Sequence, residues 1–316
     1  MIVSAPGKAV LWGEYAALTG APAAVIALNA RAQVHITPSQ DALWHFKTSG
    51  FESPNTACAP ERLPPPGDQN FCATVATHWG LNCLADLSDR PLNVFTGTDA
   101  FYHHKQKLGL GSSAAVCNAV YRALCELSGR MASVTEANEI HGAWQGKRGS
   151  GLDVACSWSG GTVILQNGQT QPLSLPEGLQ WQLVWSGKSA ETVSHIHRFN
   201  DWLSGGDIAP LNRLAKCCAD LANGHLNLPA LAAYVEALRQ LDHEAGLNIF
   251  TQEHASLGNI ASASGALYKP CGAGGGDIGI AFAESEAQIA RFAAQAQAHG
   301  FQILDLEIAE HGTRVE

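Results

Sequence analysis

Residues 109–127 carry the residue types best suited to chemistry in this sequence, and they read GLGSSAAVCNAVYRALCEL. The segment starts with glycines and serines, and its later apolar residues recur at the spacing of an amphipathic helix. A glycine loop therefore leads into a helix N-terminus, whose unpaired N–H groups and positive dipole end attract anions. The hydroxyls of Ser112 and Ser113 suit a phosphate oxygen or a magnesium ion. Taken alone, however, a glycine turn that opens an ordinary core helix is the commoner explanation, so other segments must decide.

Two known glycine motifs do not fit this segment. A Walker A loop places a lysine before its serine, whereas Gly111 precedes Ser112 here. The spacing of Gly109, Gly111 and Ala114 matches a dinucleotide-binding fingerprint, but the preceding YHHKQK is not a buried strand. The acidic residue expected about twenty positions later is also missing, because GRM stands there. These observations exclude a P-loop protein and an oxidoreductase of the dinucleotide-binding type.

Composition and charge exclude further classes of protein. The chain has 316 residues, 46% of them hydrophobic and 15% charged, and no apolar run is long enough to cross a membrane. A formal net charge of -9 without a lysine or arginine cluster argues against a nucleic-acid-binding surface. The nine cysteines include no CxxC pair, and no cleavable leader is recognisable at the start. We therefore expect a cytoplasmic globular protein with reduced thiols and with neither a nucleic-acid nor a membrane partner.

An anionic ligand would need local positive charge, because the chain as a whole is acidic. The lysines that lie beside glycine-rich segments are Lys8, Lys107, Lys147, Lys188 and Lys269. Each one by itself resembles a solvated surface lysine. Their shared placement makes them candidates for phosphate contacts.

A glycine-rich turn, KRGSGLD at residues 147–153, ends in Asp153 and is followed by the apolar run VACSW. A carboxylate between glycines and buried residues is costly to hold without a partner or a task. We therefore favour a catalytic role for Asp153 over a helix-capping role. His141 lies in the preceding helix, which a capping box of Ser133 and Glu136 opens, and is expected to be a core histidine.

Weaker patterns predict the remaining elements of the first half. Residues 1–5 predict a strand that Pro6 and Gly7 end, which puts Lys8 just after a turn, either at a functional site or at an ordinary loop rim. Further predictions are a turn and two strands over residues 11–36, an edge hairpin and loop over 36–68, a helix over 70–87, a strand over 92–95 and a strand after Gly160.

The second half predicts strands interleaved with helices, which is an α+β pattern. The polar sequence QNGQTQPL near residues 166–173 is the best domain boundary, and a strand at 181–185 ends in SGKS at 186–189. The segment KPCGAGGGD at 269–277 leads into the apolar IGIAF, and its many glycines favour a second wall facing an anion. The predicted helices cover residues 191–203, 208–222, 228–244 and 284–299, and FQILDLEI predicts a final strand.

Three segments in order, PGKAVLWGEYAALTG, KLGLGSSAA and KPCGAGGGDIGIAF, resemble the signature motifs of the GHMP small-molecule kinases. Within that superfamily, GEY at residues 13–15 and HGAWQGKRGSGLDVA are similar to segments of the phosphomevalonate kinase family. So is LGNIASASGALYKPCGAGGGD, apart from Cys271 and Ile278, where that family more often has serine and cysteine.

The resemblance implies a two-domain α+β fold. Its N-terminal ATP-binding domain, like domain 2 of ribosomal protein S5, would cover residues 1–172, and its ferredoxin-like domain residues 173–316. ATP and the acceptor would lie between them. The residues implied at ATP are Lys107, Gly109, Leu110, Gly111, Ser112, Ser113 and Ala114, with Ser112 or Ser113 also near magnesium. Those implied at the acceptor and the transferring phosphate are Lys8, Glu14, Tyr15, Ser150, Gly151, Asp153, Ser186, Lys188, Ser189, Gly272, Ala273, Gly274, Gly275 and Asp277.

The resemblance makes Lys8 and Asp153 the catalytic pair of an ATP-dependent phosphotransferase of isoprenoid biosynthesis. With a mevalonate hydroxyl as acceptor, Asp153 would be the general base. A phosphomonoester is already mostly dianionic near neutral pH, so Asp153 would then orient Lys8 or the acceptor. Mevalonate kinase, another GHMP kinase and a silent nucleotide-binding sensor stay open as alternatives. A monomer and a homodimer are both compatible with the sequence.

Overall fold

The structure is a computed structural model that describes residues 1–50, 55–64, 71–146, 150–190, 192–205 and 207–316. Lys147 and the first residue of the predicted helix at 70–87 lie outside the described residues. The described strands are β1 (Ile2–Trp12), β2 (Ala23–Pro38), β3 (Trp44–Ser49), β4 (Thr56–Cys58), β5 (Leu92–Gly97), β6 (Tyr102–His103), β7 (Gln106–Lys107), β8 (Thr162–Gln166), β9 (Gln169–Pro172), β10 (Gln180–Trp185), β11 (Leu267–Pro270), β12 (Ile278–Ala283), β13 (Gln302–Leu304) and β14 (Arg314–Val315).

The described helices lie between these strands, partly in runs of three or four. They are α1 (Phe71–His78), α2 (Ser112–Ser128), α3 (Val134–Trp144), α4 (Leu152–Ser159), α5 (Thr192–Leu203), α6 (Ala209–Ala222), α7 (Leu228–Ala245), α8 (Gln252–Ser264) and α9 (Glu286–Ala298). In this part of the chain no helix has the length and hydropathy needed to cross a bilayer.

The larger sheet has the strand order β14-β1-β2-β5-β3-β4, with β8 and β9 continuing from β2. Strands β3 and β5 are parallel, and the other pairs are antiparallel. The edge hairpin predicted within residues 36–68 is confirmed, because β3 pairs with β4 at the edge. Helix α2 packs against β1 and β2 and is buried on most sides, which puts its N-terminus beside the middle of β1.

Strand β1 differs from its prediction, because it runs through Pro6 and Gly7 to Trp12. The register with β2 shifts between these two residues, and such an irregularity accommodates a proline that cannot donate to the ladder. Gly7 is required there, because a Cβ atom would lie 2.9 Å from the Leu110 carbonyl oxygen. Lys8 therefore lies inside a strand and is buried, so its assignment to a loop rim is wrong.

The helix predicted over residues 70–87 is confirmed only for α1, which ends at His78. Gly80 then adopts a positive φ of 71° and turns the chain, and only a short 3-10 turn follows at Leu84–Asp86. Strands β5 and β8 and the helix capped by Ser133 are confirmed. Ser133 accepts from the Glu136 backbone N–H, whereas the Glu136 side chain binds Tyr121 and Trp79.

The smaller sheet is antiparallel with the order β11-β12-β10-β13. The helices predicted for the second half agree with α5, α6, α7 and α9. The sequence does not predict helix α8 or the strands β11 and β14, and the strand predicted over FQILDLEI covers only Gln302–Leu304. The polar sequence near 166–173 contains the β8–β9 hairpin, and the chain leaves it toward β10 after Pro172.

The C-terminal residues return to the larger sheet. Strand β14 pairs with β1, and Ile308 forms a bridge with Leu28 of β2. One hydrophobic cluster also spans both sheets, from Val3 in β1 to Leu304 in β13. The proposed division at residues 172 and 173 stays a prediction. The cleft described below lies where segments of both halves meet.

Candidate active site

The N-terminus of α2 opens into a cleft of about 730 Å³, a volume typical of small-molecule sites. Gly109 and Gly111 have positive φ values of 85° and 78°, and Gly111 is the N-cap of α2. No described side chain caps this helix N-terminus. Ser112 and Ser113 line the cleft, so the first turn of α2 borders it, and the predicted binding of an anion by its N–H groups stays a prediction.

Lys8 and Asp153 form an ion pair in this cleft, with 3.2 Å between Lys8 Nζ and Asp153 Oδ1. The backbone N–H of Lys8 donates to the Leu110 carbonyl at 2.8 Å, which attaches the glycine loop to β1. Burial lowers the pKa of Lys8, but the Asp153 charge and hydrogen bond outweigh it and raise the pKa above 10.5. Lys8 is therefore a protonated, partly desolvated ammonium group at neutral pH.

Asp153 lies in the first turn of α4, where a carboxylate interacts favourably with the helix dipole. Gly151 is the N-cap of α4 with φ of 75°, and a Cβ atom there would lie 3.0 Å from the Asn138 side chain. The buried Asn118 of α2 donates to the Val154 carbonyl of α4 at 3.0 Å. This bond joins the second turn of α2 to the first turn of α4, which carries Asp153.

The third signature segment contacts the second, the glycine loop at residues 109–111, at Asp277. A Cβ atom on Gly109 would lie 2.4 Å from the Asp277 side chain, so Gly109 permits this contact. Asp277 Oδ1 accepts from the Ala190 N–H at 3.0 Å. Burial raises the pKa of Asp277, although the Ala190 N–H and the charges of Lys107 and Lys8 oppose this effect.

The glycines of residues 272–276 do not all face the cleft. A Cβ atom on Gly272 would lie 4.0 Å from Lys8 Nζ, which puts this glycine beside the ion pair. On Gly274, Gly275 and Gly276 a Cβ atom would collide with Ile249, His195 and the Lys188 carbonyl, at 2.4, 2.2 and 2.9 Å. The interpretation of the whole segment as an anion-facing wall is therefore wrong for Gly275 and Gly276, because their missing side chains make room for protein atoms.

The loop at 186–189 is joined to both glycine segments through its backbone. Ser186 N–H donates to the Asp277 carbonyl at 2.8 Å, and Asp277 N–H donates to the Lys188 carbonyl at 2.6 Å. The Ser189 hydroxyl donates to the Lys107 carbonyl at 3.3 Å. The Lys188 side chain is 62% exposed, and its ammonium group pairs with Glu253 of α8. The predicted loop thus closes one side of the cleft.

Glu14 belongs to a second, fully buried ion pair. Lys269 Nζ lies 2.5 Å from Glu14 Oε1, and both side chains are 0% exposed. Lys269 also donates to the Val10 carbonyl at 3.0 Å, and the Tyr234 hydroxyl donates to the Glu14 carboxylate. The suggestion that Lys269 contacts an acceptor phosphate is wrong, because its ammonium group is enclosed by protein. The substrate contact predicted for Glu14 stays a prediction.

Tyr15 links the first segment to the third. Its hydroxyl donates to the Ala273 carbonyl at 2.6 Å and lies 3.4 Å from His195 Nδ1. Burial raises the pKa of Tyr15, so its hydroxyl stays protonated as a donor. Tyr15 has a positive φ of 62°, a conformation that costs free energy outside glycine and is retained only where the surroundings enforce it.

Most of the predicted site residues line the cleft together. They are Lys8, Glu14, Tyr15, Lys107, Gly109, Gly111, Ser112, Ser113, Ser150, Gly151, Asp153, Ser189, Gly272, Ala273, Gly274 and Asp277. Among the described residues, those predicted but outside the lining are Leu110, Ala114, Ser186, Lys188 and Gly275. Leu110 and Ala114 are fully buried in the core below the loop.

Sequence reasoning missed several lining residues, including Thr98, Tyr102 and Asn138. They follow no motif, and only the hairpin of β6 and β7 and the packing of α3 bring them to the cleft. His141 had been expected in the core, and it is buried, but it also lines the cleft with Nε2 3.2 Å from Ser113 Oγ. Burial lowers the pKa of His141, against the opposing charge of Asp153.

Comparison with known proteins shows what this arrangement is similar to. Residues 102–161 match the model of the GHMP kinases N terminal domain. The chain is 27% identical to a phosphomevalonate kinase of Streptomyces sp. (strain CL190), with 90% of each chain covered. Its structure matches Streptococcus pneumoniae phosphomevalonate kinase in complex with phosphomevalonate and AMPPNP, with a TM-score of 0.80, 19% identity and 98% and 99% of the chains covered. This chain has a GHMP kinase fold.

The GHMP kinase fold extends over nearly the whole molecule. Methanococcus jannaschii mevalonate kinase also matches, with a TM-score of 0.75, 16% identity and 98% of each chain covered. The predicted resemblance and the α+β GHMP kinase fold class are therefore confirmed. The segment matched to the model of the GHMP kinases N terminal domain contains Lys107, the glycine loop at residues 109–111 and Asp153. The roles of individual residues stay predictions.

Proposed function

We propose that this protein transfers the γ-phosphoryl group of ATP to the phosphate of (R)-5-phosphomevalonate, which forms diphosphomevalonate and ADP. The observation that carries the proposal is the Lys8–Asp153 ion pair beside the N-terminus of α2, in a cleft that the Gly272 backbone also borders. Similarity to a phosphomevalonate kinase over 90% of the chain supports this acceptor. Such a reaction belongs to isoprenoid biosynthesis in the cytoplasm.

Phosphoryl transfer depends on alignment of the reactants and neutralisation of their charge. In the proposed reaction, the N–H groups of the first turn of α2 bind phosphate oxygens of ATP. The Lys8 ammonium group binds the oxygens of the transferring phosphoryl group, since Asp153 keeps it protonated and directs it into the cleft. Lys107 lies at the exposed rim of the cleft, where it attracts the anionic substrates.

The acceptor decides what Asp153 does. A phosphomonoester has a second pKa of about 6, so it is mostly dianionic at neutral pH, and its phosphate oxygen is already a nucleophile. Asp153 then has no proton to remove, and its carboxylate positions Lys8 through their 3.2 Å contact. Mevalonate would instead present a hydroxyl group, and Asp153 would have to act as its general base.

Magnesium is the metal that this donor set fits. The cleft offers hydroxyl and carboxylate oxygens from Ser112, Ser113 and Asp153, and hard oxygen donors suit Mg²⁺. Among the described residues, no group of three or more His, Cys, Asp or Glu side chains could hold a metal ion. Mg²⁺ that binds together with nucleotide phosphates does not require such a group, because the phosphates and water supply most of its ligands. Ser112 or Ser113 would hold the ion, whose chemistry is to neutralise charge on the phosphate oxygens.

The test is ADP release by the purified chain with magnesium and ATP, measured in parallel with (R)-5-phosphomevalonate and (R)-mevalonate. We expect kcat/KM to favour the phosphorylated acceptor by at least about a hundredfold, because a site that binds a polar substrate group leaves its own groups unpaired when the substrate lacks that group. The control is Lys216→Met, which removes an exposed lysine of α6 and should leave the rate unchanged.

Preference for mevalonate would refute the proposed acceptor and leave a GHMP kinase that needs Asp153 as a base. Turnover of neither acceptor, together with magnesium-dependent ATP binding in calorimetry, would point to another small acceptor or to a nucleotide sensor. Sedimentation of the same preparation distinguishes a monomer from a homodimer.

A further inference from the structure

His254 is a buried histidine that the cleft does not contain. It lies in the first turn of α8, is 0% exposed and bonds through both ring nitrogens. Its Nε2 lies 3.0 Å from the Gly276 carbonyl oxygen, and its Nδ1 lies 2.8 Å from the Tyr268 hydroxyl. Gly276 immediately precedes Asp277, the side chain that packs on Gly109. His254 thus contacts the third signature segment from outside the cleft, through the Gly276 carbonyl.

The hydrogen bonds determine the tautomer of His254. Burial lowers the pKa of this imidazole to about 4, so the ring is neutral at physiological pH. A carbonyl oxygen only accepts, so the proton must be on Nε2, which donates to Gly276. Nδ1 is then an acceptor and receives the hydroxyl proton of Tyr268. Tyr268 therefore holds the tautomer that His254 needs for its contact with Gly276.

The residues around His254 hold the same segment at neighbouring points. The Ile249 carbonyl accepts the Gly275 N–H at 3.1 Å, and the Ile249 side chain fills the space beside Gly274. Asp242 of α7 fixes this support by accepting the backbone N–H of Ile249 at 2.8 Å and that of Phe250 at 2.9 Å. Glu253, next to His254, pairs with Lys188 of the opposite loop.

We propose that His254 is a positioning residue for phosphoryl transfer, acting through the Gly276 carbonyl to hold the segment 272–277 against the phosphate-binding loop. This proposal rests on the proposed function, because it requires that the segment 272–277 border the phosphoryl group that is transferred. His254 itself touches no substrate. Its single imidazole N–H sets the distance between α8 and the glycine segment, and misplacement of reacting groups by about 1 Å costs roughly a hundredfold in rate.

The experiment compares two amide substitutions that differ by one methylene. The amide nitrogen of His254→Gln reaches the position of Nε2 and can still donate to Gly276, whereas that of His254→Asn reaches only the position of Nδ1. We expect kcat of His254→Gln to stay within about threefold of wild type and that of His254→Asn to fall roughly thirtyfold or more, with KM for ATP changed less than threefold. His299→Gln is the matched control, since the exposed His299 also bonds a backbone carbonyl, that of Gln295 at 2.8 Å.

Hydrogen exchange provides a readout that needs no acceptor. The amides of Gly275 and Asp277 are bonded to the Ile249 and Lys188 carbonyls. In His254→Asn we expect them to exchange at least about tenfold faster, and in His254→Gln we expect wild-type rates. If the wild type prefers another acceptor, kcat is measured with that acceptor, and the proposed function fails while this inference is still tested.

Three results would overturn the inference. They are wild-type kcat and exchange in His254→Asn, a lower kcat with unchanged exchange, and equal damage by both substitutions. Should His254→Asn fail to fold, Tyr268→Phe replaces it, because it removes only the hydroxyl that holds the tautomer. It should then lower kcat and speed exchange together, by about threefold, and wild-type values for both would contradict the proposal.

Discussion

Two lysine–carboxylate pairs lie close together in this molecule and have opposite surroundings. Lys8 and Asp153 are 3.2 Å apart, and the Asp153 side chain is 38% exposed to the cleft. Lys269 and Glu14 are 2.5 Å apart, both are 0% exposed, and the Val10 carbonyl and Tyr234 hydroxyl complete their hydrogen bonds. Lys8, Glu14 and Lys269 come from the first and third signature segments, whereas Asp153 ends the glycine-rich segment at residues 147–153.

The difference lies in access to a ligand and not in the residue types. The Lys8–Asp153 pair borders the cleft, so a bound phosphate can add to it without displacing protein. The Lys269–Glu14 pair joins the segment after β1 to β11 of the smaller sheet, and its donors and acceptors are bound by protein. We infer that the Lys8–Asp153 pair serves the reaction. The Lys269–Glu14 pair holds the smaller sheet against the segment that follows β1.

Breaking the buried pair should have the largest effect on stability. Lys269→Met leaves the Glu14 carboxylate without its cation, and removal of one partner of a buried pair costs about 3–5 kcal/mol. We expect a matching loss in the free energy of unfolding by urea. The double variant Glu14→Gln/Lys269→Met should recover part of it, because no unpaired charge remains. A loss below about 1 kcal/mol in the single variant would contradict the framework role.

Breaking the pair in the cleft should chiefly affect the rate. Lys8→Met removes the positive charge beside the α2 N-terminus, and loss of one such group costs about 10²–10³ in kcat. We expect a smaller loss of stability than in Lys269→Met, since the Asp153 left behind is partly exposed to water. The measurement is kcat and urea unfolding on both variants. Full activity of Lys8→Met would remove the basis of the proposed function.

Asp153→Asn sharpens the distinction between positioning and base catalysis. We expect a loss of about tenfold with a phosphate acceptor and a larger loss with a hydroxyl acceptor, which alone requires a base. Equal losses with both acceptor types would contradict this interpretation.

The same variant should shift the alkaline limb of the rate profile. In the wild type the pKa of Lys8 is raised above 10.5, so both its charge and its contribution to stability are lost only as the pH rises through that raised value. Asp153→Asn removes the largest of the effects that raise this pKa, which Cys271 and Asp277 also raise, so the opposing effect of burial lowers it relative to the wild type. The alkaline fall in kcat should therefore begin at lower pH than in the wild type. An unchanged limb would show that Lys8 does not control it.

An exposed pair completes the series and should show the smallest effect. Lys188 is 62% exposed where it pairs with Glu253, and pairs of this kind contribute about 0–1 kcal/mol. Lys188→Met should change the free energy of unfolding by less than that amount at moderate salt. If Lys188→Met lost several kcal/mol in the free energy of unfolding, exposure to water would not explain how much each of the three pairs contributes to stability.

Much of the site was recognisable from sequence because its motifs are local. Residues 109–113 and the turn before Asp153 are short segments in which glycine, serine and one charged residue must be neighbours, and the structure brings both to one cleft. The order of the three signature segments was enough to predict the fold class, which the comparisons confirm.

The errors concern contacts between segments that are distant in the chain. Lys269 was taken for a possible acceptor contact, yet its partner Glu14 lies 255 residues away. Gly275 was assigned to the cleft, but His195 occupies the space beside it. His254 belongs to a helix that had not been predicted, and its role depends on Gly276 and Tyr268 from two later segments.

The sequence by itself determined which residue types were available for binding phosphate and where the chain turns to present them, because local conformation depends on neighbouring residues. Only the tertiary structure decided which lysine reaches the cleft and which is enclosed. Burial sets whether a charge meets water, a ligand or protein, and it depends on packing between segments that the linear order does not place together.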